Sequence, residues 1–156
     1  MPDIHIEDFY KDLARILIHL HSYFPRKCQV FVEDISGPDQ PDEYGLHSVR
    51  HQSCFSAMLW LADEGFIRFD DTIRDEAIDQ AVLTQKTFLR LNQLAKPPLE
   101  NTAKSHADAS GLNLRKPAIT GEPHTNVSLI RHTLKTGTST RLARLLEAVI
   151  FIDPTN

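Results

Sequence analysis

His47, His51 and Cys54 stand four and then three residues apart, a spacing that carries two imidazoles and a thiol to one face of a helix. Nitrogen and sulfur ligands of this kind suit zinc, which also needs a fourth ligand or an open position and partners that orient the rings. No companion CxxC or HxxxH stands elsewhere in the chain. The expectation is therefore a satisfied histidine pair at a helix end and a core cysteine, with no metal and no other cofactor. His19 and His21 are two apart, so on a helix they point away from each other. The chain holds no glycine-rich phosphate loop, no GxSxG and no HExxH. Its many carboxylates fall in loops and on solvated faces without a facing partner, and the chain is expected to be non-catalytic.

The elements that position these residues follow from apolar spacing. Ile6, Phe9, Tyr10, Leu13, Ile16, Leu17, Leu20 and Phe24 form a stripe at helical period, which Asp3 is placed to cap and Pro25 ends. Cys28, Val30 and Val32 alternate as a short strand does, with room at Asp34 and Ile35 for a single helical turn. The run GPDQPDEYG is a loop by its turn chemistry. A helix is expected over 48–64, with Ser48 as N-cap and Gly65 in the left-handed position that closes a helix. Its inward face carries His51, Phe55, Met58, Leu59 and Ala62, broadened by Cys54 and Leu61. The opposite face carries Arg50, Gln52, Ser53, Ser56, Ala57, Trp60, Asp63 and Glu64, which is the recognition surface such a helix would present.

Phe66, Ile67, Phe69 and Ile73 fit a strand entering a ribbon, and Ile78, Ala81, Val82 and Leu83 fit its return. The tip between them is crowded with Asp70, Asp71, Asp75, Glu76 and Asp79 against Arg74. Thr84 is placed to cap a further helix with Phe88, Leu89, Leu91 and Leu94. Residues 96–126 hold four prolines and few large apolar side chains, too little to offset the entropy of ordering, and read as a flexible linker. Apolar spacing returns in 127–156, as two helices divided near Gly137, the second capped by Ser139 or Thr140.

Helix, short strand, short helix, helix, two-stranded ribbon and helix make a domain of residues 1–95 that, over roughly residues 6–95, resembles the winged helix-turn-helix superfamily, which is rich in prokaryotic transcription regulators. The residues that carry the resemblance are LADEGFI at the end of one helix and LTQKTF at the start of the next. The chain departs from the pattern in a very short second helix and in Thr87, where many members have glycine. The resemblance implies a mainly α fold with a small β ribbon, a winged helix-turn-helix domain followed by C-terminal helices. It also implies that Arg50, Gln52, Ser53 and Ser56 face bases in the major groove, while Arg68 and Arg74 are the wing contacts. Arginine reads guanine and glutamine reads adenine through paired hydrogen bonds, so Arg50 and Gln52 suit that role.

Charge argues the other way. Residues 1–95 carry nine Lys/Arg against sixteen Asp/Glu, a balance of −7, and the remainder carries eight against five. A wing tip this acidic repels phosphates, whose neutralisation supplies most non-specific affinity for DNA. The alternative is a protein-interaction module, a subunit of a larger assembly, with Trp60 as an aromatic anchor. Under either reading, Leu142, Leu145, Leu146, Val149 and Ile150 make a wide apolar stripe, and winged-helix regulators often dimerise through such terminal helices, so a homodimer is expected. The two cysteines are too far apart to form a CxxC pair, no leader pattern opens the chain, and the longest apolar run, 16–20, is broken by His19. A cytoplasmic protein that crosses no membrane is expected.

Overall fold

The computed structural model describes residues 3–95 and 124–151. The expected linker lies almost wholly outside them. Helix α1, Ile4–Tyr23, buries Leu13, Ala14, Ile16, Leu17 and Leu20 completely or nearly so, whereas Ile6 at its start stays open. Asp3 takes the N-cap position without a side-chain cap, and its backbone carbonyl accepts from the Ile6 amide instead. Strand β1, Cys28–Phe31, runs straight into α2, Val32–Ser36, a five-residue helix that buries Val32 and Ile35. Helix α3, Val49–Asp63, starts as expected: the Ser48 hydroxyl accepts from the His51 amide at 3.2 Å. It ends at Gly65, whose φ of 79° is the left-handed geometry that an added side chain disfavours.

The ribbon has three strands where two were expected: β2, Ile67–Arg68, β3, Asp71–Ile73, and β4, Ala77–Leu83. All pairing is antiparallel and centred on β4. Ala77 pairs with both Phe31 and Ile73, so β1 and β3 flank β4 on opposite sides. The tip shrinks to Arg74, Asp75 and Glu76, closed by a Glu76 amide to Ile73 carbonyl bond of 3.0 Å. Helix α4, Gln85–Asn92, follows, and here the expected cap differs in detail. Thr84 occupies the N-cap, but its hydroxyl donates to the Gly65 and Phe66 carbonyls rather than accepting from α4. Thr87 Oγ1, buried, donates to the same Phe66 carbonyl at 2.7 Å, a tether that glycine could not supply.

The C-terminal segment forms α5, Asn126–Thr136, and α6, Ser139–Leu146, which runs into a π-helical turn, Glu147–Phe151. The cap of α6 is Thr138 rather than the expected Ser139 or Thr140, and its hydroxyl accepts from the Arg141 amide. These helices complete the core rather than stand apart from it. Val127, Ile130, Leu142, Leu146 and Ile150 join the same buried cluster as Leu13, Leu17, Met58 and Leu91. Polar ties hold them there: Tyr10 donates to Glu147 at 2.7 Å, Asn126 Nδ2 donates to the Arg90 carbonyl at 2.8 Å, and Arg90 donates to the Ile150 carbonyl. Among the described residues no helix is long and apolar enough to cross a membrane.

Two outcomes test this docking. Leu146 is fully buried, and Leu146→Ala is expected to cost about 2–5 kcal/mol of global stability in urea unfolding; an unchanged midpoint would mean that the C-terminal helices pack only loosely. The Glu147 hydrogen bond, followed by burial and the Glu147 charge, pushes the Tyr10 pKa up to about 12. The folded state thus holds the phenolic proton more tightly than the unfolded chain, so the contribution is complete below pH 10 and is lost as pH rises towards 12. Tyr10→Phe is expected to remove that part of the alkaline loss, as read from unfolding midpoints across the interval.

Candidate functional site

Arg50 leans off the outward face of α3 and back over α1. Its guanidinium donates to both carboxylate oxygens of Asp12, each at 2.6 Å, and its Nε lies 3.6 Å from Asp8 Oδ2. The Asp12 side chain is 1% exposed and that of Arg50 33%. A forked guanidinium–carboxylate pair is among the stronger polar contacts, and a carboxylate withdrawn from water needs such a partner. Arg50 is therefore spent on joining α3 to α1.

What remains on the outward face is different in kind. Gln52, Ser53 and Ser56 are exposed, as expected, but Ala57 turns inward and is buried. The three polar residues border a groove of about 520 Å³ between α3 and the first turns of α1, walled by Ile6, Phe9, Val49, Ala57 and Trp60. Val49 is 79% exposed at its mouth. Trp60, 37% exposed, stands edge-on to Phe9 at 5.3 Å between ring centroids and to Phe151 at 5.7 Å. One side of the indole is thus seated on the core while the other is offered to the groove. Gln52 is partly engaged, since its amide donates to the His47 carbonyl at 2.8 Å.

The ribbon keeps its acidic character. Asp71 and Asp79 face each other across the β3–β4 ladder, each bonded through a carboxylate oxygen to the next amide in its own chain. Arg68 and Arg74 are exposed, and Arg74 sits at a left-handed φ of 49° in the turn. The structure does not bring them together with Arg50, which lies across α3 against α1.

Of the candidate metal trio, His47 and His51 meet and Cys54 does not. The imidazoles stack with centroids 3.7 Å apart and planes 6° from parallel. Cys54 is buried in the core, and burial, with the nearby Asp12 charge, pushes its thiol up to about 12. The residue that joins the histidines is Asp39, from the loop before α3, whose Oδ2 accepts from His47 Nδ1 at 2.9 Å. The Ser48 hydroxyl and, behind it, His47 and the Ser48 amide hold the Asp39 carboxyl down at about 2 against the opposing effect of burial. Asp39 lies in a run that reads as loop, eight residues before His47, so helical spacing carried no signal for it.

The expected dimerisation stripe is used within the chain. Leu142, Leu146 and Ile150 are buried in the core, and Leu145 and Val149 pack partly buried against it.

Removing the Arg50 guanidinium leaves Asp12 buried without its main partner. Arg50→Ala is expected to lower unfolding stability by about 3–5 kcal/mol, and the paired change Asp12→Leu with Arg50→Met to recover most of it. A loss under about 1 kcal/mol for Arg50→Ala would place the pair among weak surface contacts. Comparison with protein-family models, with curated proteins and with solved structures finds no match to this chain.

Proposed function

We propose that the chain is a non-catalytic interaction module of winged-helix type, and that its α1–α3 groove seats an apolar-faced helical segment of a protein partner. The element order supports the winged-helix reading: a helix, a strand, a very short helix, a longer helix, the ribbon and a closing helix occur in sequence. The observation that carries the choice of target is the fate of Arg50. With it bonded to Asp12, the outward face of α3 borders a mostly apolar groove with neutral Gln52, Ser53 and Ser56, and α1 adds His5 and the Arg50-paired Asp12 to its lining. Such a groove suits helix-in-groove recognition, where residues three and four apart on the incoming segment fill it in turn. Trp60 is the anchor, half seated on Phe9 and Phe151 and half open. The −7 balance of residues 1–95 favours a segment with basic flanks.

The reading of duplex DNA, implied by the winged-helix resemblance, is less well supported. It needs a cationic contact surface, and the ribbon places Asp71 opposite Asp79 where phosphates would approach. The free thiols Cys28 and Cys54 suit a reducing, cytoplasmic setting.

Selection of a random peptide library on the full chain tests the proposal. Recovered peptides are expected to share apolar residues at helical spacing with Lys or Arg flanks. Val49→Glu, at an exposed position, is expected to weaken their binding at least tenfold without changing the fold. Peptides whose affinity is indifferent to both Val49→Glu and Trp60→Ala would place recognition elsewhere and overturn the assignment of the groove.

A further inference from the structure

The Asp39, His47 and His51 cluster contains an arrangement that the fold alone does not explain. His51 Nε2 lies 2.8 Å from the Asp75 carbonyl oxygen. A carbonyl only accepts, so Nε2 carries the proton, and in the neutral ring Nδ1 is left with a bare lone pair. That Nδ1 is buried and has no hydrogen-bond partner among the described residues. It faces the Asp39 carboxylate, with Oδ2 3.8 Å away, and the His51 side chain is 1% exposed. A lone pair turned to a carboxylate is repelled, while a proton on Nδ1 would be too far from Oδ2 for a hydrogen bond. A cation between them satisfies both.

We infer that Asp39, His47 and His51 form a binding site for a divalent cation of the zinc type. One ligand atom from each residue already lies within 4.8 Å of the others. Zinc bonds to histidine nitrogen and carboxylate oxygen are about 2.0–2.2 Å, so two ligands of one tetrahedral ion sit roughly 3.4 Å apart. The observed separations from Asp39 Oδ2, 2.9 Å to His47 Nδ1 and 3.8 Å to His51 Nδ1, bracket that spacing. Two nitrogens and one carboxylate oxygen favour a borderline cation over magnesium or calcium, which prefer oxygen shells.

The surroundings are those a ligating histidine has. His51 is oriented through its far nitrogen by the Asp75 carbonyl, and Asp39 is oriented by the Ser48 amide at 3.2 Å. The stacked rings are not themselves in ligating position, because a bound ion must lie in the plane of each imidazole. His47, whose side chain is 15% exposed against 1% for His51, is the less enclosed ring and the one that would tilt out of the stack to reach the ion. Its Nδ1 proton, now donated to Asp39, would move to Nε2 by tautomer exchange, so the neutral ring presents the Nδ1 lone pair to the ion with no net loss of a proton. The bound ion would fasten the loop around Asp39 to the start of α3 and, through Asp75, to the ribbon turn. Three protein ligands leave one position for water or another donor.

The full chain, stripped with a chelator and dialysed, is titrated with zinc alone against a chromophoric competitor, with cobalt as a spectroscopic substitute. Expected are one equivalent of zinc bound, a rise in melting temperature on loading, and no competition from magnesium or calcium. The cobalt form is expected to show visible bands without a thiolate-to-cobalt band in the near ultraviolet. His47→Gln and Asp39→Asn are each expected to weaken zinc binding at least tenfold, and Asp39→Asn retains an acceptor for the Ser48 amide. No uptake at tens of micromolar zinc would overturn the inference. So would uptake unchanged in both variants, which would place the ion on other histidines, or a thiolate band, which would place it on a cysteine. If a variant fails to fold, the cobalt spectrum and zinc-dependent melting of the unaltered chain decide the matter.

Discussion

Asp12 sits on α1 among Leu13, Ile16 and Leu17, withdrawn from solvent, and both of its oxygens are bonded to Arg50 of α3. A carboxylate in that position dictates where its cation must be, and therefore how α3 lies across α1. Once α3 is set, its inward residues Cys54, Met58 and Leu61 reach the core and its outward residues are left to face the start of α1. The groove between them is a consequence of that crossing. So is its chemistry, because the pair draws Arg50 across to α1, leaving Val49, Trp60 and three neutral polar residues on the α3 side of the groove.

Helix α1 also explains why residues 124–151 belong to the same body. A helix that carries Leu13, Ala14, Ile16, Leu17 and Leu20 at essentially zero exposure must be covered on more than one side. Helix α3 and the sheet cover part of it; α5 and α6 cover the rest, and Tyr10 and Arg90 fasten the final turn through Glu147 and the Ile150 carbonyl. A stripe as apolar as Leu142, Leu146 and Ile150 does not distinguish a surface awaiting a second copy from one that its own chain fills. Here α1 supplies the surface that they fill.

Local rules served well where a local interaction decides the structure. Ser48 caps α3, Gly65 turns out of it with positive φ, and Val32–Ser36 makes the single short helix for which Asp34 and Ile35 left room. They failed where the decisive partner is remote. Arg50 lies on the polar arc of α3 by spacing, and only the fold brings Asp12, thirty-eight residues earlier, beneath it. Thr84 had the right position for a cap, but the Gly65 and Phe66 carbonyls, brought near by the β2–β4 pairing, take its proton instead. His47 and His51 were visible as a pair, whereas Asp39 entered through the path of a loop. Cys54, at helical spacing from both, is claimed by the core.

Arg50 is a strut between α3 and α1, and the α3 face beside it is the docking surface proposed above for an acidic body. Fluorescence anisotropy of the full chain against mixed-sequence duplex DNA, across a salt series beginning at low ionic strength, tests this most directly. No binding is expected at any salt, since Arg50 is engaged by Asp12 and the ribbon sets Asp71 opposite Asp79 where counterion release would need cations. Binding that weakens steeply as salt rises would contradict it and return α3 and the ribbon to the role of a DNA-reading surface.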